Sequence, residues 1–170
     1  MIAKNRYLSI LILSGILILI LTNIGDFDNI VKQIKNQEDY IELGSMHSCD
    51  PGQAICSIAQ VVDGKAIKFS LGFSHKVKSR ETFSIKLKVN GIDKQNIRRA
   101  EISFKPLEED SQTIVERFKF LSSEGSDISY WNTDSNITTG KNKNINWTAM
   151  VKVSTLEETY TGSFSFTIGI

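Results

Sequence analysis

The chain is poor in the side chains that carry chemistry. Among 170 residues there are two histidines and two cysteines, and neither sign of charge dominates, with twenty Lys and Arg against nineteen Asp and Glu. Lys4 and Arg6 precede an apolar run, which leaves eighteen basic against nineteen acidic side chains in the remainder, a net of −1. A nucleic-acid-binding domain needs a basic excess to neutralise phosphates, so that class is set aside. The local basic groups Lys76, Lys78, Arg80 and Lys141, Lys143 are interleaved with turn-type residues and read as solvated loops. There is no Gly-x-Ser-x-Gly elbow, no His-Glu-x-x-His, no phosphate-cradling glycine loop and no dinucleotide fingerprint. Catalysis is thereby left without a set of reactive groups, and His75, in Ser74-His75-Lys76, reads as part of an exposed turn. Internal repeats and a βαβ pattern are missing as well.

What is present begins with hydrophobicity. Tyr7 to Leu21 reads YLSILILSGILILIL, and Ile24 extends the run. A membrane span needs roughly 17 to 25 residues, and Leu8 to Ile24 meets the lower bound. Lys4 and Arg6 lie before the run, and Asp26 and Asp28 after it. The positive-inside rule then predicts a cytoplasmic N-terminus and an exported remainder. A cleaved signal peptide is the alternative, but Leu-Thr-Asn-Ile-Gly-Asp-Phe offers no small-residue cleavage pattern and no cysteine for lipidation. Beyond the anchor, Phe27, Ile30, Val31 and Ile34 follow helical spacing and predict a short amphipathic helix. The expected organisation is a leader over 1–6, a transmembrane signal anchor over 7–24, a juxtamembrane helix and linker over 25–48, and an exported domain over 49–170.

From Ala54 onward the hydrophobic period becomes 2. Ile67, Phe69, Leu71 and Phe73 alternate with polar residues or glycine, and so do Phe83, Ile85, Leu87 and Val89. The pattern returns at Ala100, Ile102, Phe104, less cleanly at Glu116, Phe118, Phe120, and again at Ala149, Val151, Val153 and Phe164, Phe166, Ile168. With Ile55–Val62 and a short Ile128–Trp131 segment, about eight strands are expected. Asp63-Gly64, Asn90-Gly91, Gly125-Ser126, Gly140 and Thr161-Gly162 read as turns, and the polar Asn132–Asn146 stretch as the longest loop. This count and spacing predict an all-β fold, an immunoglobulin-like antiparallel β-sandwich preceded by the N-terminal transmembrane helix and the amphipathic helix. Asn136-Ile137-Thr138 and Asn146-Trp147-Thr148 match the N-glycosylation pattern. The many Ile, Lys and Asn residues favour a bacterial source, in which the match is chance.

Cys49 and Cys56 flank Asp50-Pro51-Gly52. In an exported chain they are expected as a disulfide. The alternative is a soft-metal site of Met46, His47, Cys49 and Cys56, whose donors suit Cu(I) or Zn. The acidic runs Glu108-Glu109-Asp110 and Glu157-Glu158 read as solvated turns, with a hard cation as their alternative. Tyr130 and Trp131 cannot share a face of one strand, so one of the two rings is expected to be exposed as a partner contact, while Trp147 opens an alternating strand and is expected in the core.

The order of basic leader, single span, Cys-x6-Cys around a proline, and a strand-rich domain with Gly140 shortly before Asn146-Trp147-Thr148-Ala149 resembles a group of small bacterial inner-membrane proteins, the FixH and YtkA-like proteins. The resemblance implies an exported immunoglobulin-like domain and a role near cytochrome oxidase assembly or copper handling. The chain departs from that group where many members carry a Met-x-Met-Gly motif and a further cysteine. Here the stretch reads Glu116-Arg117-Phe118-Lys119-Phe120, and no cysteine follows Cys56. The expected function is that of a membrane-anchored envelope accessory protein, not an enzyme and without a cofactor. It lies in the inner membrane bilayer and its periplasmic domain binds another envelope protein. Copper handling for a membrane oxidase is the alternative.

Overall fold

A computed structural model describes residues 40–107, 113–139 and 145–169 of the chain. The anchor, the amphipathic helix, the Glu108-Glu109-Asp110 run and Gly140 all lie outside the described residues. Two five-stranded sheets pack face to face as a β-sandwich. The strands are β1 (Tyr40–Met46), β2 (Cys56–Val62), β3 (Lys65–Phe73), β4 (Thr82–Asn90), β5 (Arg99–Pro106), β6 (Ile114–Arg117), β7 (Lys119–Glu124), β8 (Ile128–Asn136), β9 (Ile145–Ser154) and β10 (Thr159–Ile168). Sheet A has the order β1-β10-β9-β5-β6, and sheet B the order β2-β3-β4-β8-β7.

Strict alternation drives the assembly. Ile67, Phe69, Leu71, Phe83, Ile85, Leu87 and Val89 point inward from sheet B, and all are buried. Ala100, Ile102, Phe104, Ala149, Val151, Val153, Phe164, Phe166 and Ile168 answer from sheet A. Apolar area removed from water is the main stabilising term, at about 25 cal/mol per Å². Four rings join the sheets across the centre: Phe73 lies 5.2 Å from Phe83 and 5.2 Å from Phe166, and Phe104 lies 5.9 Å from both Phe83 and Phe166. Their mostly edge-on arrangement suits the ring quadrupoles. The expected core tryptophan, Trp147, is buried on β9.

The Asp63-Gly64 pair turns β2 into β3 with positive φ at both residues, 48° and 77°, as a type I′ hairpin requires. Gly91, just after β4, has φ 84°, and a Cβ there would stand 2.2 Å from the Ala66 carbonyl oxygen, so only glycine fits.

Four features differ from the sequence expectation. Thr161-Gly162 is no turn but the middle of β10. Gly162 occupies an inward position where a Cβ would come within 1.9 Å of Ile58 Cδ1, so the glycine admits a side chain of the opposite sheet. The stretch over 40–48, read as linker, contains β1, which pairs with β10 in parallel and makes sheet A mixed rather than purely antiparallel. The Glu116–Phe120 stretch divides at Phe118. Its side chain is buried and its N–H donates to the Ala100 carbonyl, so β6 stays in sheet A while β7 crosses to sheet B. Finally, β8 runs on to Asn136, into the stretch read as a loop, because Ser129 and Ser135 take buried inward positions that apolar residues would otherwise mark.

Candidate functional site

The two sheets present different outer faces. Across sheet A the register sets Arg117 opposite Glu101, Glu101 opposite Lys152, Lys152 opposite Thr161 and Thr161 opposite Glu42. Charges of opposite sign therefore adjoin, and Arg99 pairs with Glu101 directly. Such a face neutralises itself.

Sheet B does not balance its charge in this way. The outward row Ser57, Ser70, Lys88, Tyr130, Ser122 runs across all five strands. Neighbouring rows add Lys68 beside Ala59 and Asn90, and Lys86 between Gly72 and Asn132. These positions face outward because their chain neighbours Phe69, Leu71, Ile85, Leu87 and Val89 fill the core. A concavity of about 430 Å³ near the disulfide is smaller than the one on this face, which encloses about 730 Å³.

The groove on sheet B has a definite construction. Gly72 leaves the floor low, and Ile55 lies over it, with Cγ1 3.4 Å from where a glycine Cβ would stand. Ile55 is 76% exposed at one end and Leu121 58% exposed at the other. Between them, Lys88 Nζ lies 5.2 Å from the centre of the Tyr130 ring, a cation–π contact that ties the two side chains together. Ser57 Oγ and Ser70 Oγ are 2.8 Å apart. Three lysines line this groove, and its lining contains no carboxylate. Asp134, one row further along β8, accepts a hydrogen bond from Ser84 Oγ at 2.6 Å.

Tyr130 and Trp131 lie on opposite faces of β8, as their adjacency requires. Trp131 turns inward, where its Nε1 donates to Ser129 Oγ at 2.9 Å and its ring meets Phe120 edge-on at 5.4 Å. Tyr130 is the one on the outer face. Lys68, Lys86, Lys88, Ile55 and Leu121 were not singled out by sequence reasoning. The lysines were visible only as the polar half of an alternating pattern.

The second candidate region is the β1–β2 connection. Cys49 and Cys56 form a disulfide with Cα atoms 5.7 Å apart. Asp50 Oδ1 accepts from the Gly52 N–H at 2.8 Å, and the Phe73 N–H donates to the Pro51 carbonyl at 2.8 Å, which fixes the loop to β3. With both sulfurs in the bond there is no thiolate, so the Met46, His47, Cys49, Cys56 set does not fit Cu(I) or Zn. The remaining two donors are engaged elsewhere. His47 Nδ1 is 2.7 Å from Ser165 Oγ, and Met46 Sδ accepts from Ser48 Oγ at 3.5 Å. Among the described residues no three His, Cys, Asp or Glu side chains converge on a metal position.

Glu157 and Glu158 occupy the β9–β10 connection, where both backbone N–H groups donate to Thr155 Oγ1. The Glu158 carboxylate accepts the Tyr160 hydroxyl proton. Burial of Tyr160, reinforced by that hydrogen bond and by the charge of Glu158, pushes the phenol well above its ordinary value. Tyr160 thus stays a neutral donor, and Glu158 is committed to a structural contact. His75 is exposed on the β3–β4 connection, with Nε2 3.9 Å from Glu81.

No family model matches the chain, and no curated protein is similar to it in sequence.

Proposed function

We propose that the chain is a membrane-anchored accessory protein of the bacterial envelope, whose exported domain binds another periplasmic or inner-membrane protein through the outer face of sheet B. The observation that carries this reading is the groove on that face, which combines an exposed apolar rim with three lysines and has no carboxylate in its lining. Charge of one sign beside exposed apolar side chains favours a partner of complementary charge. A partner contact is the proposed role of Tyr130, in the middle of the groove, and of Trp131, which also lines it.

Recognition by strand addition is the weaker form of the same reading. Three of the four edge strands are blunted: β1 is interrupted by a bulge between Glu42 and Ser45, β7 by one between Phe120 and Ser122, and β6 has only four residues, while β2 alone keeps a regular seven-residue edge. Bulges and short edges blunt pairing with a further strand.

The placement rests on the basic leader followed by the apolar run, and it draws support from the disulfide, which persists in oxidising compartments. An immunoglobulin-like assignment draws support from connectivity. The strands β3-β4-β8-β7 and β6-β5-β9-β10 follow the order of the A-B-E-D and C′-C-F-G sheets. On this reading β1 and β2 are additions at one side. The resemblance to the FixH and YtkA-like group is part of the proposal at the level of layout alone, without its copper chemistry.

The test is a photoreactive amino acid placed in the full-length protein at Tyr130, or at Met150 on the other sheet, and irradiated in intact cells. Met150 is a fair control because it is 43% exposed on sheet A. A discrete adduct with a second envelope protein is expected from position 130 and not from 150. Adducts from 150 alone, or from neither, would remove the basis of the proposal.

A further inference from the structure

Resting on that reading, we infer that the partner presents an extended acidic segment, bracketed by apolar residues, which lies across the strands of sheet B. Lys68, Lys86 and Lys88 come from adjacent strands β3 and β4 and are brought onto one face by register alone. Lys88 is spread against Tyr130, and the Ser57–Ser70 pair offers hydroxyls along the same row. A ligand in this groove meets ammonium groups and hydroxyl donors along its middle and apolar side chains at its ends.

The spacing of those ends selects the kind of anion. Ile55 stands beside β2 and Leu121 belongs to β7, the two edges of the sheet. Their backbones are separated by four strand spacings, about 19 Å at roughly 4.8 Å each, and the Ile55 side chain leans inward from its edge over Gly72 of β3. An extended chain advances about 3.3 Å per residue, so about four to six residues reach from one rim to the other. Carboxylates in the middle of such a segment meet the lysines while its terminal apolar side chains rest on Ile55 and Leu121. A single lipid headgroup or free phosphate would engage the lysines but leave at least one rim unused. The contrast with sheet A, where Arg117, Glu101, Lys152 and Glu42 alternate in sign, assigns the acidic ligand to this face and not the other.

The experiment uses the full chain in detergent micelles and a fluorescent peptide with leucines at both ends and glutamates between, read by anisotropy. The Lys86→Glu, Lys88→Glu double variant is expected to weaken binding about tenfold or more, since attraction at the exposed Lys86 and the half-buried Lys88 becomes repulsion. Raising salt from about 50 to about 200 mM should weaken the wild-type complex several-fold. Lys105→Glu on sheet A should leave it unchanged, and an unaltered thermal midpoint for the double variant shows that its fold is intact.

Equal binding of the peptide with glutamines in place of glutamates would overturn the proposal, because the rims alone would then carry affinity. Saturation of the lysines by a soluble short-chain phosphatidylglycerol, with no peptide binding, would overturn it in favour of a headgroup. If the adduct from position 130 is found in cells while the acidic peptide fails, the protein partner stands and the acidic segment falls. If both fail, the whole assignment of this face falls.

Discussion

Replacing Phe104 by alanine is expected to destabilise the domain by about 3–5 kcal/mol, the usual cost of removing a buried phenylalanine. Phe104 is fully buried on β5 and touches the rings of Phe73 and Phe83 from sheet B and of Phe166 from its own sheet. It therefore connects the two layers and does not merely fill one of them. The lost ring removes transfer free energy, and the rigid sheets around it relax only in part, so a cavity adds to the cost. Chemical or thermal unfolding of the full chain reads the effect, with a fall in midpoint on the order of 10–20 °C for a domain of this size. Phe120→Ala provides the comparison. That ring is 49% exposed and meets Trp131 at the edge of the sandwich, so its loss should cost no more than about 1–1.5 kcal/mol. Equal effects at the two positions would mean that the four-ring cluster does not hold the sheets together.

Removing the disulfide with Cys49→Ser and Cys56→Ser is expected to cost about 2–3 kcal/mol, the chain-entropy value for so short a loop. The bond closes a segment with a sequence separation of 7. Its effect is therefore mainly to restrict the unfolded chain locally. In the folded state Cys56 is buried at the start of β2, and the Pro51 carbonyl already holds the loop to β3 through the Phe73 N–H. The variant should accordingly keep its β-sheet circular dichroism and unfold roughly 10 °C lower, and reduction of the wild type should have a similar effect. No shift in midpoint on reduction would mean that the cross-link plays no stabilising part. Only the reduced protein offers Met46, His47, Cys49 and Cys56 together as soft donors, so copper chemistry and the structural bond exclude each other.

The strands that were legible in the sequence are those that bury one unbroken face. β3, β4, β5, β9 and β10 each place an apolar side chain at every second position over several residues, and a period of 2 has no competing explanation. The Asp63-Gly64 turn was legible because positive φ at two successive residues narrows the choice of side chains. β1 was not, since Leu43 is buried and Met46 half-buried three residues later, and the bulge at Gly44, φ 116°, breaks the alternation between them. The end of β8 was hidden because serines take its inner positions. Gly162 misled, because a glycine after threonine resembles a turn while its real task, clearing space for Ile58, depends on the opposite sheet.

The groove was hidden for a different reason. Lys68, Lys86, Lys88 and Tyr130 each look unremarkable within their own strand. They become one surface only through the pairing of β3 with β4 and of β4 with β8. Register is a long-range property, set by burial of the opposite face and by turn geometry. Tyr130 and Trp131 could be separated onto two faces from adjacency, but which face each one takes follows from the neighbours of β8.

If sheet B is the working face, its lysines are covered in intact cells, and lysine footprinting reads that cover. Lys68, Lys86 and Lys88 on sheet B, and the exposed Lys105 on sheet A, are compared for acylation rate in cells and in the purified full chain. The three groove lysines should react several-fold more slowly in cells while Lys105 reacts at the same rate in both. Equal rates for all four, or protection of Lys105 alone, would contradict it.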